Sequence, residues 1–240
     1  MQHAVVSQSE WLRARKELLA KEKEFTKARD ALSAARRALP WVKVEKDYVF
    51  DGPGGKQSLA DLFDGRSQLI VYHFMFGPDW KAGCPHCSHW ADSFNPVIVH
   101  LNQRNVSMVA TSRAPLANLE AYRKRMGWTY KWLSSNGTDF NFDFRVSFTP
   151  QEMQANKAVY NFVEQEPHAS EREGLSVFIK DASGAIFHTY STYARGIDLM
   201  CTDYNYLDLT PKGRDEGGHG PFWVKRHDEY EGAAKSNCCS

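Results

Sequence analysis

The sequence predicts an α/β fold in which helices flank a mixed central sheet. Strand-like and helix-like segments alternate through the first part of the chain, as β-α units require. The apolar run Leu69–Phe76 has the length and composition of a fully buried strand. Two β-rich stretches, Leu175–Lys180 and Ala185–Tyr190, are joined by Asp181–Gly184, which is typical of an antiparallel hairpin. A late hairpin after alternating units favours a mixed sheet.

The composition is that of a globular protein. Of the 240 residues, 42% are apolar and 25% are charged, which excludes disorder over the whole chain. Lys and Arg number 30 against 29 Asp and Glu, so no net charge attracts nucleic acid or an acidic membrane. No apolar run reaches membrane-spanning length, and the first residues lack a secretory pattern. We therefore expect a cytoplasmic protein without nucleic-acid or membrane partners.

Three regions are predicted along the chain: an N-terminal helical arm over residues 1–40, a main domain over 41–230 and a flexible tail over 231–240. Within the arm, Ser7–Leu39 is charged and favours a helix that Pro40 ends. Its apolar residues form one stripe suited to cover the core or a second subunit, so a homodimer is compatible with the sequence. They are Trp11, Leu12, Leu18, Leu19, Phe25, Ala31, Leu32 and Ala35.

The remaining elements follow from periodicity and from turn residues. Gly77 and Pro78 open a loop that runs to Cys84, and Gly127 ends a helix. In chain order we predict a strand at Val42–Phe50, a turn at Asp51–Gly55, a short helix at Ser58–Phe63, a helix from Pro85 to about Gln103 with a kink at Pro96, a strand at Val106–Thr111, and helices at Leu116–Met126 and Gln151–Phe162.

The strongest chemical signal is the dithiol Cys84-Pro85-His86-Cys87, which follows a buried strand and opens a helix. The free N–H groups and the dipole of a helix N-terminus stabilise a thiolate, and the thiolate is the nucleophile. Pro85 suits the first helical turn. A protonated His86 would lower the pKa of Cys84 further. We predict that Cys84 attacks a disulfide and that Cys87 resolves the mixed disulfide.

Trp80 and Trp90 flank the motif and, with Pro85, are candidates for the surface that receives the substrate. Large aromatic residues at such positions equally often belong to a core. The sequence contains no Gly-rich phosphate loop and no nucleotide-binding fingerprint, so we expect no bound organic cofactor. The expected partners are a disulfide-bearing protein or small molecule and a cellular reducing system.

A metal carrier is the main alternative. Thiolates together with an imidazole suit Cu(I) or Zn(II), and Cys84 and Cys87 would need one histidine to complete such a site. His86 and His89 stand three residues apart, and His168 precedes a late strand. A third reading is an interaction module in which the dithiol has no role; it predicts that Cys84→Ser changes nothing.

Several segments resemble one known family. The sequence from Ser7 to Tyr230 resembles the DUF899 family of thioredoxin-like proteins, in the peroxiredoxin-like branch of that fold. The resemblance implies a thioredoxin-like fold with an N-terminal helical extension, and motif cysteines at Cys84 and Cys87. The segments that carry it are Gly83–Asp92, Met126–Trp128, Asp139–Phe144, His188–Gly196 and Trp223–Tyr230.

The chain departs from the wider group at two points. Thioredoxins place a proline before a late strand beside the dithiol, whereas the comparable Gly174–Ser176 contains none. Peroxiredoxins place a proline and a Thr or Ser before the peroxidatic cysteine, where this chain has Gly77 and Lys81. These departures disfavour the standard peroxiredoxin arrangement and remove one usual contact for a protein substrate.

Other reactive or charged residues have structural explanations. We expect Cys201 to be a small buried residue and the terminal pair Cys238 and Cys239 to lie in a mobile tail. Arg195 and Arg214 are expected in surface ion pairs, although they are suited to bind an anion. The alternating segment Asp139–Phe144 is interpreted as a half-buried strand or loop, with an aromatic wall near a substrate cleft as the alternative.

Overall fold

The computed structural model describes residues 3–232, so Cys238 and Cys239 of the predicted tail lie outside the described residues. The chain forms two compact units that divide between Trp41 and Val42. The first contains α1 (Gln8–Arg37), which begins with a capping box between Ser7 and Glu10. No described residue of α1 is buried within the structure. Because α1 lies within the predicted segment Ser7–Leu39, the predicted arm helix is confirmed.

The second unit is built on an eight-stranded sheet and a two-stranded ribbon. In chain order the strands are β1 (Val42–Lys43), β2 (Val49–Gly52), β3 (Gly55–Ser58), β4 (Gln68–His73), β5 (Val106–Ser112), β6 (Lys131–Ser134), β7 (Ala158–Tyr160), β8 (Val163–Gln165), β9 (Gly174–Lys180) and β10 (Ile186–Tyr193).

The strand order of the large sheet is β1-β10-β9-β4-β5-β6-β2-β3. β4 runs parallel to β5, β5 runs parallel to β6, and β9 is antiparallel to both β4 and β10. The mixed sheet and the late hairpin are thus confirmed. The central order β10-β9-β4-β5, with the dithiol directly after β4, is the thioredoxin arrangement.

The predicted strand Val42–Phe50 is wrong as a single element. β1 pairs with β10 at one edge of the sheet, whereas β2 pairs with β3 and β6 at the opposite edge. In a flat sheet those edges would lie roughly 29 Å apart, at about 4.8 Å for each strand. The connection from Lys43 to Val49 spans at most about 20 Å when fully extended. The sheet must therefore curl until its two edges approach each other.

Seven α-helices are described in residues 3–232. The predicted long helix from Pro85 is broken at Asp92 and Ser93, because the ring of Pro96 excludes the helical carbonyl four residues earlier. Besides α1, the helices are α2 (Pro85–Ala91), α3 (Phe94–Gln103), α4 (Leu116–Arg125), α5 (Phe140–Asp143), α6 (Pro150–Gln154) and α7 (Thr202–Leu207).

One strand-or-loop prediction and one helix prediction need correction. The segment Asp139–Phe144 forms the short helix α5 rather than a strand, and its Phe140 packs on Phe50 in the core, with ring centroids 4.9 Å apart. The predicted helix Gln151–Phe162 ends at Gln154, and the chain then turns into β7. Asn156 adopts a positive φ of 52°, which ends the helix there.

The core lies on both faces of the sheet, because alternate side chains of β4 point to opposite sides. Leu69 and Val71 pack in one cluster with Phe50 and Phe140, and Tyr72 packs in the other, which contains Cys87. The second cluster also holds Trp132 and places the dithiol against the main core. Among residues 3–232, no helix has the length and apolarity needed to cross a membrane.

Candidate active site

Cys84 lies at the first position of the candidate site, where the loop after β4 enters α2. It is the N-cap residue of α2, and Pro85 follows in the first turn as predicted. The backbone N–H of Cys84 donates to the carbonyl oxygen of Met75 at 3.1 Å, which fixes the loop against the end of β4. Gly83 lets the backbone of this loop pass close to Phe74, because a Cβ at this position would lie 2.6 Å from the Phe74 ring.

Cys87 lies one turn further along α2 and is fully buried, whereas Cys84 is partly exposed. Its Sγ accepts a hydrogen bond from the backbone N–H of Met75 at 3.4 Å. Both thiols are free in the structure. The exposed sulfur is therefore the one that a substrate can reach, and the buried sulfur lies behind it.

The two thiols have opposite acidities. A hydrogen bond from Cys87 and the neighbouring His86 hold the pKa of Cys84 well below its ordinary value, although burial opposes this. Burial, together with the hydrogen bond and the charge of Cys84, raises the pKa of Cys87 well above its ordinary value. These opposite shifts favour a thiolate at Cys84 and a protonated thiol at Cys87.

His86 stabilises this arrangement. Its hydrogen bond to Cys84 raises the pKa of the imidazole, so the thiolate and the imidazolium favour each other. Its Nε2 lies 3.1 Å from the carbonyl oxygen of Pro221, an acceptor that also favours the protonated ring. The predicted role of His86 in tuning the thiolate is consistent with this geometry.

A C-terminal strap, residues Pro221–Glu229, holds the start of α2 in place. Arg226 donates to the carbonyl oxygen of Gly83 and to the hydroxyl of Tyr122, and Nδ1 of His227 lies 2.7 Å from Asp92 Oδ1. At the far end of the strap, Asp228 forms a bidentate ion pair with Arg125 at 2.7 and 2.9 Å.

A cavity of about 770 Å³ opens beside the dithiol. Its wall combines polar and charged side chains from parts of the chain that are distant in sequence. Arg195 and Arg214 both pair with Asp198, at 3.2 and 3.3 Å, as the ion-pair interpretation predicted. The wall also contains His86, His168, Arg172, Glu173, Glu216 and Pro221.

Of the two tryptophans predicted to bind the substrate, only Trp90 lines the cavity. Trp90 lines the cavity, and its buried Nε1 has no hydrogen-bond partner. Trp80 packs against the core near Gly77 and does not line the cavity. Gly174, the position compared with the thioredoxin proline, is the first residue of β9 and pairs with His73. The residue before it, Glu173, is the one that faces the cavity.

Three relevant residues, Glu173, Arg226 and Asp203, were missed from the sequence, and Cys201 was interpreted only as a small buried residue. Glu173 is buried beside the cavity, and its charge contributes to the raised pKa of Cys87. Arg226 lies 143 residues from Gly83 in sequence, so no local pattern predicts their contact. Cys201 and Asp203 lie beside His89, 112 and 114 residues apart from it in sequence. A Cys-x-Asp pattern was the only local signal.

The chain matches one protein-family model over most of its length. A family model described as "Bacterial protein of unknown function (DUF899)" matches residues 1–230. The chain belongs to the DUF899 family. No curated protein sequence matches this DUF899 chain.

Solved structures similar to the DUF899 chain include peroxiredoxins. Peroxidoxin BcpB from Mycobacterium tuberculosis is 13% identical, over 69% of this chain and 92% of that chain, with a TM-score of 0.46. A mutant of peroxiredoxin Q from Xanthomonas campestris is 11% identical, over 70% of this chain and 98% of that chain, with a TM-score of 0.46. These are distant likenesses, and the fold assignment rests on the strand order described above.

Proposed function

We propose that this protein is a thiol/disulfide oxidoreductase that uses Cys84 as the attacking thiolate and Cys87 as the resolving thiol. The observation that carries the proposal is the pairing of an acidic, partly exposed sulfur with a buried, protonated sulfur one helical turn away. His86 beside Cys84 supplies the positive charge that such a thiolate needs. An inert structural pair of cysteines requires neither feature.

The reaction balances over two exchanges. The Cys84 thiolate attacks one sulfur of the substrate disulfide, that bond breaks, and the leaving thiolate takes up a proton. Cys87 then gives up its proton and attacks the Cys84 sulfur, so the substrate leaves as a dithiol. The protein is left with a Cys84–Cys87 disulfide and has transferred two electrons to the substrate. A cellular reducing system returns those electrons, and the reverse direction uses the same steps.

A redox titration tests the proposal directly. The protein is equilibrated in glutathione or dithiothreitol buffers, the thiols are quenched with an alkylating reagent, and the products are read by mass. We expect Cys84 and Cys87 to convert together, with a midpoint between about −120 and −270 mV. Cys201→Ser is the matched control, because its titration should be unchanged. Absence of a reversible Cys84–Cys87 disulfide would contradict the proposal.

A metal carrier that uses Cys84, Cys87 and one histidine is the second candidate. The observation that favours it is that His168 lines the same cavity as the two cysteines. A carrier would retain close to one copper or zinc ion per chain through purification and lose it in the Cys84→Ser variant. The oxidoreductase would instead exchange disulfides in metal-free buffer.

We assign three regions to this activity: residues 1–40 as a helical arm, 41–230 as the oxidoreductase domain and 231–240 as a tail. The substrate is a protein or small-molecule disulfide that enters the cavity beside Cys84. No nucleic acid or membrane takes part. A reducing compartment such as the cytoplasm, in which a reducing system can regenerate the dithiol, is the proposed location.

The arm is proposed to join two copies of the chain in a parallel coiled coil. Trp11, Leu18, Phe25 and Leu32 recur every seven residues, and each is at least 51% exposed. A sustained seven-residue repeat favours a left-handed supercoil, in which these side chains would form the seam.

The charges beside this seam favour a second copy of the same helix in parallel. In that register, Glu10 of one copy faces Arg15 of the other, and Glu24 faces Arg29. Glu17 would face Glu22, but Glu22 is already paired with Arg15 of its own chain at 2.8 Å. An antiparallel pair would instead bring glutamates of both copies together.

A further inference from the structure

A second cluster of reactive side chains lies outside the dithiol. His89 belongs to α2, Cys201 directly precedes α7, and Asp203 lies in the first turn of α7. The Asp203 Oδ2 atom lies 2.6 Å from His89 Nε2, and the Cys201 Sγ atom lies 3.2 Å from Asp203 Oδ1. Cys201 Sγ lies 3.7 Å from each ring nitrogen of His89. The proposed redox reaction uses none of these groups.

We propose that His89, Cys201 and Asp203 form a binding site for a divalent transition metal, with Zn²⁺ as the ion that best fits the donors. One imidazole nitrogen, one thiolate and one carboxylate oxygen are all zinc ligands, and one donor atom of each lies within 4.8 Å of the other two. The mixed sulfur and nitrogen donors disfavour Mg²⁺ and Ca²⁺, which take oxygen ligands.

One donor distance already matches a tetrahedral ion, and the others require a small movement of Asp203. With bonds of about 2.3 Å to sulfur and about 2.1 Å to nitrogen and oxygen, tetrahedral ligands lie roughly 3.4 to 3.6 Å apart. The Cys201–His89 separation of 3.7 Å already fits this value. The carboxylate of Asp203 has to withdraw by less than about 1 Å from His89. Its side chain is 43% exposed, so it has room to do so.

The three side chains already bind one another through hydrogen bonds. The Cys201 thiol donates to Asp203 Oδ1 at 3.2 Å, and the other carboxylate oxygen lies 2.6 Å from His89 Nε2. A bound divalent ion would replace these contacts, and binding would release the proton of Cys201.

The surroundings orient the histidine and leave a coordination position open. The rings of Tyr204 and Trp223 meet His89 edge-on, with centroids 5.3 and 5.5 Å away. His89 also lines the cavity that contains Cys84. Three protein ligands leave one tetrahedral position for a water molecule or an exchangeable ligand from that cavity. The ion would also tie α7 to α2, the helix that carries the dithiol.

The test uses the full chain with Cys84→Ser and Cys87→Ser, so that the dithiol cannot bind the ion. Co²⁺ is added as a spectroscopic probe, and Zn²⁺ then competes for the site. We expect one equivalent of Co²⁺, a thiolate-to-cobalt charge-transfer band, and displacement by Zn²⁺ with a Kd below about 1 µM. Zinc should also raise the melting temperature of this variant.

Three further variants separate the outcomes. Adding Cys201→Ala should abolish the charge-transfer band and weaken Zn²⁺ binding at least 100-fold. Adding Asp203→Asn or His89→Asn removes one proposed ligand and keeps the thiol. Each should weaken binding by at least the roughly 10- to 100-fold that loss of an outer-shell partner costs, with circular dichroism confirming that each variant folds. Absence of binding in the dithiol-free chain would overturn the proposal. Binding that survives Cys201→Ala would overturn it as well.

This site is separate from the proposed redox function. A redox titration of Cys84 and Cys87 can fail while Co²⁺ still binds at Cys201, and the reverse can also occur. Metal binding that requires Cys84 but not Cys201 would instead support the carrier alternative and contradict this site.

Discussion

Arg226 donates two hydrogen bonds to the carbonyl oxygen of Gly83, from Nη2 at 2.7 Å and from Nε at 3.2 Å. Gly83 is the residue immediately before Cys84, so a guanidinium near the end of the chain fixes the backbone that carries the nucleophile. The same side chain donates to the hydroxyl of Tyr122 at 2.8 Å. The C-terminal strap thus binds the dithiol loop at the residue next to Cys84.

Arg226→Ala should loosen the strap and uncover the site. The Gly83 carbonyl and the Tyr122 hydroxyl lose a charged donor, and we expect the free energy of unfolding to fall by about 1 to 3 kcal/mol. Alkylation of Cys84 should become faster, because the strap residue Pro221, which lines the same cavity as Cys84, is then held less firmly. Denaturant unfolding and timed alkylation measure both effects. Lys225→Ala, at an exposed neighbouring position, is the control and should change neither.

His86→Asn should weaken the thiolate at Cys84. The hydrogen bond and the positive charge of His86 both lower the pKa of Cys84, so their loss raises it. The pKa of Cys84 is held at about 4, so the thiolate fraction falls tenfold per unit only below that pH. For a rise of one unit we expect alkylation at pH 4 to slow roughly fivefold, with little change at pH 7. The rate is measured from pH 4 to 9. His100→Asn is the control. A pH profile unchanged by His86→Asn would show that the imidazole does not tune the thiolate.

The stability of the reduced protein should depend on pH through the same thiol. The pKa of Cys84 is lower in the folded chain than in the unfolded chain, where it is about 8.5. The folded state therefore gains stability over the Cys84→Ser variant as the pH rises, and the gain is complete above about pH 8.5. The gain disappears as the pH falls through the lowered pKa. Paired melts in a reducing buffer would contradict this if the difference were independent of pH.

Glu173→Gln should accelerate the second exchange. In the mixed disulfide Cys84 is no longer charged, so burial and the carboxylate of Glu173 remain to raise the pKa of Cys87. Removing that charge makes Cys87 more acidic, and we expect release of the substrate to be about two- to fivefold faster at pH 7. Stopped-flow release of a thiol probe measures the step. Slower release at every pH would instead assign Glu173 the role of proton acceptor. Glu164→Gln, on the exposed strand β8, is the control.

Replacing the seam of α1 should separate the proposed dimer. Leu18→Lys together with Phe25→Lys places two charges in the repeat, and we expect the chain to run as a monomer in analytical ultracentrifugation. Lys23→Glu changes the outer face of the same helix and should leave the dimer intact. The wild type sedimenting as a monomer at about 100 µM would rule out the coiled coil, and a higher oligomer would change the number of strands.

The sequence predicts those elements whose signal is local. The apolar run that contains β4, the dithiol at the start of α2 and the break near Pro96 all follow from residues within one element of each other. β6 was missed because Trp132 and Leu133 are too short an apolar pair to indicate a strand. In Asp139–Phe144 the aromatic spacing of two also places Phe140 and Phe144 one helical turn apart, so the period was ambiguous.

The contacts that could not be predicted join distant parts of the chain. The crossing from β1 to β2 depends on the curl of the whole sheet, and no residue between Lys43 and Val49 indicates it. Arg226 and Gly83, or His89 and Cys201, meet only because β9 and β10 carry the chain back beside β4. Neither pair is marked by a repeat or a motif in the sequence.

The order of synthesis gives the strap a further consequence. Cys84 and Cys87 leave the ribosome well before the strap and before the part of the cavity wall that begins at Ala194. While the chain is being made, the dithiol loop lacks the cover of Pro221 and the anchor of Arg226. A nascent chain would thus expose both thiols to oxidants and metals until residues 194–229 have been synthesised and have folded against the dithiol loop.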